Sequence, residues 1–426
     1  MKKRNLFGWF AMAAMVISSC STDEVVNDYS PENAIQFGTY VGRDAQGRGT
    51  VITEEGNGTP SEQSLQSLGF GVFTYYTDES VYNAGTSPCN FMYNTKVSTS
   101  AWTYSPIKYW PNDPGDKLTF FAYAPYDDHT NADDNHGNID FDNQVVMEGD
   151  PIITFNVNNE VKYQTDLLIS KTDNRNLRKN TGVSVDEKVT FNFAHALSRI
   201  GFTVKAIVDE VVAGSPQKLN ASTTIVLKKV VLYGGDKVTG NTVPADASTN
   251  GIFYTQGKLN LNQSNANVVW DNCSGKQLFT LDNNDFVPQA DAATMYDNEG
   301  YILTENTGII GADKANSTKP NELNTDDSYL MIIPQNLVGI GFSVYVEYDV
   351  ITLDSNLGDA AVPSTYAEIK SKVTNHISTP IEINFESGKA YKLNLQLGMT
   401  SVKIDADVVA WDTEVGSLVD LPKNEN

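Results

Sequence analysis

The sequence predicts an all-β protein built of antiparallel sheets packed as sandwiches. Two observations carry that expectation. Apolar residues alternate with polar or small ones in segment after segment, and clusters of Gly, Asn, Asp and Pro separate the segments. Helical periodicity is scarce by comparison.

The elements follow in chain order. In residues 34–41, Ile35, Phe37, Thr39 and Val41 share one face. Residues 61–68 fit either one short helix or an extended linker. In residues 189–195, Val189, Phe191, Phe193 and His195 line one face. The same alternation recurs in Phe342, Val344, Val346, Tyr348 and Val350, and again in Tyr391, Leu393, Leu395 and Leu397. It closes with Val402, Ile404, Ala406 and Val408. Each is the pattern of a half-buried strand, apolar inward and polar outward. Asn- and Asp-rich stretches near 127–143, 171–182, 236–250 and 312–327 read as loops. The polar, turn-rich stretch 172–186 places a boundary between two strand-dense halves, 49–182 and 183–426.

A chain of 426 residues has room for two or three domains. A hydrophobic content of 40% favours a folded body over disorder. The formal charge of −23 repels phosphate backbones, which argues against nucleic acid and anionic membrane surfaces as partners. The acids are scattered, so they read as a means of keeping an exported chain soluble. Of three cysteines, Cys20 has a role of its own; Cys89 and Cys273 read as two separate, mostly buried thiols.

Residues 1–20 read as a signal peptide. Lys2, Lys3 and Arg4 form its basic start, and Leu6 to Ile17 its apolar stretch, too short to span a bilayer. The run Ile17-Ser18-Ser19-Cys20 resembles a bacterial lipobox, which implies acylation of Cys20. Ser21-Thr22-Asp23-Glu24 resembles the acidic surface-export signal of lipoproteins in Gram-negative anaerobes. The lipid is then the expected membrane attachment. Residues 21–33 read as a linker.

Motifs for catalysis are missing from the sequence: no Gly-rich phosphate loop, nucleophile elbow, His-Glu-x-x-His or Cys-x-x-Cys. The chain therefore does not read as an enzyme, and no cofactor or metal is expected. His195 lies on an apolar strand face and reads as a core histidine. Residues 131–137 resemble a calcium loop only faintly, because the Gly falls one position late and the bidentate Glu is missing. Trp102, Tyr104, Tyr109 and Trp110 read as an aromatic core ahead of a sugar platform.

Several segments together resemble the fimbrillin family, the Mfa-like and FimA-like subunits of type V pili. They are Trp102 with Tyr109-Trp110-Pro111, Leu118 to Pro125, Asp166-Leu167-Leu168-Ile169, Phe193 to Ile200, Tyr329 to Gln335 and Gly388 to Leu393, closing on Trp411. The resemblance implies two transthyretin-like antiparallel β-sandwich domains in tandem. It also implies assembly into fimbriae with other fimbrial subunits, supporting adhesion to a host receptor or glycan. In that scheme an Arg-specific or trypsin-like protease removes the first strand, and a strand from the next subunit's C-terminal end fills the groove. The removable strand is Ile35, Phe37, Thr39 and Val41. The cut falls between Arg48 and Gly49, because the alternative Arg43 is followed by Asp44. Residues 21–48 are then tether and propeptide. The candidate donor strand is Val402, Ile404, Ala406 and Val408, whose alternation serves equally for a resident strand. The alternatives are a non-polymerising surface lipoprotein that binds glycans, and a tip or anchor subunit.

Overall fold

The computed structural model describes residues 33–41, 65–99, 101–128, 139–141, 148–159, 164–179, 188–206, 223–235, 242–263, 268–282, 301–303, 330–353, 370–399, 401–410 and 419–420. Among them are 22 strands and two single-turn helices, so the chain is all-β. Strands are numbered in chain order.

The first sheet has six strands in the order β1-β8-β7-β4-β2-β3. They are β1 (Gln36–Val41), β8 (Lys188–His195), β7 (Leu168–Ser170), β4 (Lys117–Ala124), β2 (Phe70–Thr77) and β3 (Met92–Val97). Only β1 runs parallel to its neighbour; the other pairs are antiparallel. β2 and β4 are buried on both faces. One face gives Phe70, Val72, Phe120 and Ala122 to an N-terminal core, and the other gives Phe73, Tyr75, Phe121 and Tyr123 to a second, larger core. A strand between two cores has no polar face, so its sequence reads as an apolar run instead of an alternation.

The second core is closed by a four-stranded sheet, β12-β11-β6-β5. Its strands are β12 (Trp270–Ser274), β11 (Gln256–Asn260), β6 (Ile152–Asn156) and β5 (Ile139–Phe141). Phe141 stands edge-on to Phe73 with centroids 5.1 Å apart, which joins the two sheets.

Two five-stranded sheets continue that core. One runs β15-β9-β20-β21-β22: β15 (Leu330–Ile332), β9 (Ser198–Ala206), β20 (Lys389–Leu397), β21 (Val402–Ala410) and β22 (Val419–Asp420). The other runs β13-β10-β17-β18, with β14 beside β10: β13 (Phe279–Leu281), β10 (Thr223–Tyr233), β17 (Ser343–Leu353), β18 (Lys370–Pro380) and β14 (Tyr301–Leu303). The Tyr348 hydroxyl of β17 donates to the Gly398 carbonyl at 2.9 Å, just past the end of β20. A two-stranded piece, β16 (Gln335–Asn336) with β19 (Asn384–Phe385), completes the fold.

Among the described strands, three pairings cross the 182/183 position. β8 lies beyond it yet pairs with β1 and β7, and β6 lies before it yet pairs with β11. The stretches read as loops also hold elements: β5 falls within 127–143, and helix α2 (Ala247–Asn250), capped by Asp246, within 236–250. Helix α1 (Leu65–Leu68) occupies the end of 61–68. On β17 the expected inward face is buried, but so are Tyr345, Asp349 and Ile351 on the opposite face. Asp349 is held there by Lys372 at 2.8 Å and the Thr374 hydroxyl at 2.7 Å. Cys89 and Cys273 are both free thiols.

Candidate strand-exchange site

β1 occupies the end position of the first sheet. Its ladder runs from Gln36 opposite Lys188 to Val41 opposite Phe193. Alternation sends Ile35 and Phe37 inward, each only 2% exposed, while Thr39 is half-buried and Tyr40 exposed. Val41 contributes a backbone pairing to β8.

Phe37 fills a slot walled by rings. Phe191 stacks at 5.7 Å and Tyr104 tilts against it at 5.2 Å; Phe120 and Phe70 meet it edge-on at 6.2 and 6.3 Å. Val189 and Phe193 of β8 lie in the same core. Lifting β1 away would expose these side chains together with one edge of β8. That is an apolar groove beside unpaired backbone donors and acceptors.

The start of β1 is clasped on its other side by the loop 104–110. The Ile35 amide donates to the Lys108 carbonyl at 2.9 Å, and the Trp110 amide to the Asn33 carbonyl at 2.9 Å. The Tyr104 hydroxyl donates to the Ile35 carbonyl at 2.8 Å. Burial pushes that hydroxyl up to about 12, well above the usual phenol value, so it stays a donor. The Lys179 ammonium donates to the Asn33 side-chain oxygen. The aromatic cluster read from sequence is thus largely core: Tyr104 and Trp110 are buried, and Trp102 packs on Phe70 at 5.4 Å. Tyr104 has the added task of holding the first strand, which no spacing or periodicity could reveal.

The candidate donor residues stand elsewhere. Val402, Ile404, Ala406 and Val408 lie on β21, which pairs antiparallel with β20 from Leu397 opposite Val402 to Lys389 opposite Ala410. All four are only half-buried against the large core, whereas Leu393, Leu395 and Leu397 of β20 are fully buried. Within one chain β1 and β21 belong to different sheets. Cys20, Arg43, Arg48, Gly49 and the loop 131–137 lie outside the described residues. Among the described residues no group of three His, Cys, Asp or Glu side chains is placed to hold a metal ion. His195 is buried and shares a 2.7 Å hydrogen bond with buried Asp166, the setting of a structural histidine.

The chain is therefore an all-β protein of stacked sheets whose first strand is seated at a sheet edge over an aromatic slot. Residues 62–411 match the fimbrillin-like family model, and the chain belongs to that family. It is 26% identical over 435 residues to the fimbrium subunit Fim1C of Phocaeicola vulgatus, covering 97% of this chain and 98% of that protein. It also resembles the crystal structure of a fimbrial protein from Bacteroides vulgatus, with a TM-score of 0.57 and 21% identity, over 89% of this chain and 99% of that one.

Proposed function

We propose that this chain is a structural subunit of cell-surface fimbriae, exported as a lipoprotein on Cys20 and polymerised by donor-strand exchange. In this reading its described sheets form two transthyretin-like sandwiches in tandem. An Arg-specific protease cuts between Arg48 and Gly49, β1 leaves, and a strand from another fimbrial subunit takes its seat. The assembled fimbrium supports adhesion to a host surface receptor or glycan.

The observation that carries the reading is the seat of β1. The strand ladders on β8, yet it inserts Ile35 and Phe37 fully into the core. Burying each such side chain contributes roughly 1.5–3 kcal/mol, so the vacated groove is costly to leave open. A strand supplied by a neighbour restores both the ladder and the apolar filling. Repetition without closure produces a filament. β21 suits the donor role because its apolar face is only half-buried at home. Its full pairing with β20 favours a second reading, a tip or anchor subunit that keeps β21 as a resident strand.

The test is the N-terminal sequence and mass of the protein taken from the cell surface, for the parent chain, Arg48→Ala and Arg43→Ala. The reading expects a start at Gly49 and ladders that resist detergent until boiled, with only Arg48→Ala blocking both. A monomer still beginning at acylated Cys20 in the parent chain would sink the polymerising subunit and leave the surface lipoprotein.

A further inference from the structure

A cleft of about 640 Å³ opens between β12 and the turn that follows β16, far in sequence from the seat of β1. We propose that it is a binding site for a neutral oligosaccharide, and the inference stands whether or not the chain polymerises. The volume lies within the range of small-ligand pockets.

Its wall is aromatic and aliphatic: Tyr254, Trp270, Leu337 and Ile340. Trp270 is held in one orientation. Its indole N–H donates to the Ala196 carbonyl at 2.9 Å, and Phe155 lies against it at 6.1 Å. Gly257 lets the ring lie close to β11, since a Cβ there would come within 2.8 Å of Trp270 Cε3. With its N–H occupied, what Trp270 brings to the cleft is aromatic carbon, suited to the C–H face of a pyranose ring. A fixed ring loses little freedom when a ligand arrives.

The rim is polar in the way sugar hydroxyls require. Asp271 supplies a carboxylate that accepts, and Asn272, Gln335 and Asn336 supply amides that both donate and accept. Gln335 Nε2 is shielded from solvent and has no hydrogen-bond partner among the described residues. Asp271 and Lys276 place opposite charges on the same rim, and the chain carries −23 overall, which together favour a neutral ligand over an anionic one.

Strand addition is the rival occupant, because β12 ends its sheet. The backbone argues against it. The β11–β12 register shifts between Gln256 and Lys258, Asn272 sits at φ 48° and Gly275 at φ 65°. A bulged, twisted edge is a poor template for a further ladder.

The experiment uses the full chain with Cys20→Ser and Cys89→Ser, which leaves Cys273, a residue lining the cleft, as the sole thiol. Maleimide labelling of Cys273 is timed against gluco-, manno- and galacto-oligosaccharides of about four units, and against a synthetic peptide of residues 401–410. The expected result is saturable protection by at least one sugar, slowing labelling about tenfold. In the rim variant Asn336→Ala and the wall variant Trp270→Phe, the half-protecting concentration should rise about tenfold and about threefold respectively. Asn336 is exposed, but its side-chain oxygen accepts from the Val338 amide at 3.1 Å, so the melting midpoint of the variant is recorded beside the labelling and should stay close to the parent's. No protection by any sugar at about 10 mM, or equal protection in both variants, would overturn the proposal. Protection by the peptide alone would also overturn it and make the cleft a strand seat.

Discussion

The hydroxyl of Tyr104 donates a 2.8 Å hydrogen bond to the main-chain carbonyl of Ile35, 69 residues earlier in the chain. A side chain on one loop thus fixes the first strand by its backbone, whatever side chains the strand carries. The same hydroxyl contacts the Lys108 carbonyl at 3.2 Å, so it ties the strand and its clasping loop at one point.

Tyr104→Phe keeps the ring against Phe37 and removes only that tie. The Ile35 carbonyl then loses a buried partner, which should cost about 1–2 kcal/mol. Urea unfolding of the purified chain checks this. Limited proteolysis should also release the segment ending at Val41 faster than in the parent. A midpoint unchanged from the parent would mean that the clasp is carried by Lys108 and Trp110 alone.

Phe37→Ala empties the ring-walled slot. Phe191, Phe120, Phe70 and Tyr104 surround it, and none can follow a lost ring without leaving its own place in the core. The expected loss is about 3–5 kcal/mol, that of a large-to-small change at a rigid site. Phe37→Leu should recover part of it. If β1 is exchanged as proposed, any strand that replaces it needs a bulky apolar residue in this slot. Peptides matching residues 34–41 should therefore bind a trimmed chain, and the same peptides with Ala for Phe37 should not.

Much of the fold was legible where strands have one wet face. β1, β8, β20 and β21 carry clean alternation, and Ile35 and Phe37 together with the inward residues of β8 and β20 are buried, while Thr39 is only half-buried. β2 and β4 were less so, because Phe70 and Phe73, or Phe120 and Phe121, point into two different cores and alternation vanishes. β17 misled in the other direction. Asp349 alternates as an outward residue should, yet it is buried and held by Lys372 and Thr374 across the sheet. The 172–186 stretch is rich in turn residues, but turn chemistry does not say which sheet the next strand joins, and β8 turns back to β1 and β7. The first strand could be placed from its pattern; the Tyr104 tie could not, since it depends on a loop folding over the strand.

His195→Ala tests the structural role of the buried pair. His195 sits opposite Leu168 in the β7–β8 ladder, and its ring meets Asp166 two residues before that position. Removing the ring takes a 2.7 Å partner from a carboxylate that is fully buried. The expected destabilisation is about 3–5 kcal/mol, read from urea unfolding. His195→Asn, which keeps a donor of smaller reach, should recover some of it. A catalytic histidine would instead be removable at little cost to stability, and that outcome would reopen the question of its role.

Buried phenols set the alkaline limit of the fold. Desolvation by burial pushes Tyr104 and Tyr391 up to about 12, and pushes Tyr75, Tyr82 and Tyr123 higher still. For Tyr82 the hydroxyl also donates to Asp150 at 2.8 Å, which opposes loss of its proton. In the unfolded chain these groups ionise near their ordinary value of about 10. Below that pH both states hold the protons and the stabilisation is fully present. Above it the unfolded chain gives up protons that the folded chain keeps, so stability falls as pH rises from about 10 through about 12. Urea midpoints should therefore be flat between about pH 7 and 9 with respect to these groups and drop steeply by about pH 11. Tyrosinate absorbance from these buried tyrosines should rise in step with unfolding. If all tyrosines ionised together at about pH 10 while the chain remained folded, the buried hydroxyls would be open to solvent, and the tie between Tyr104 and Ile35 would fall with them.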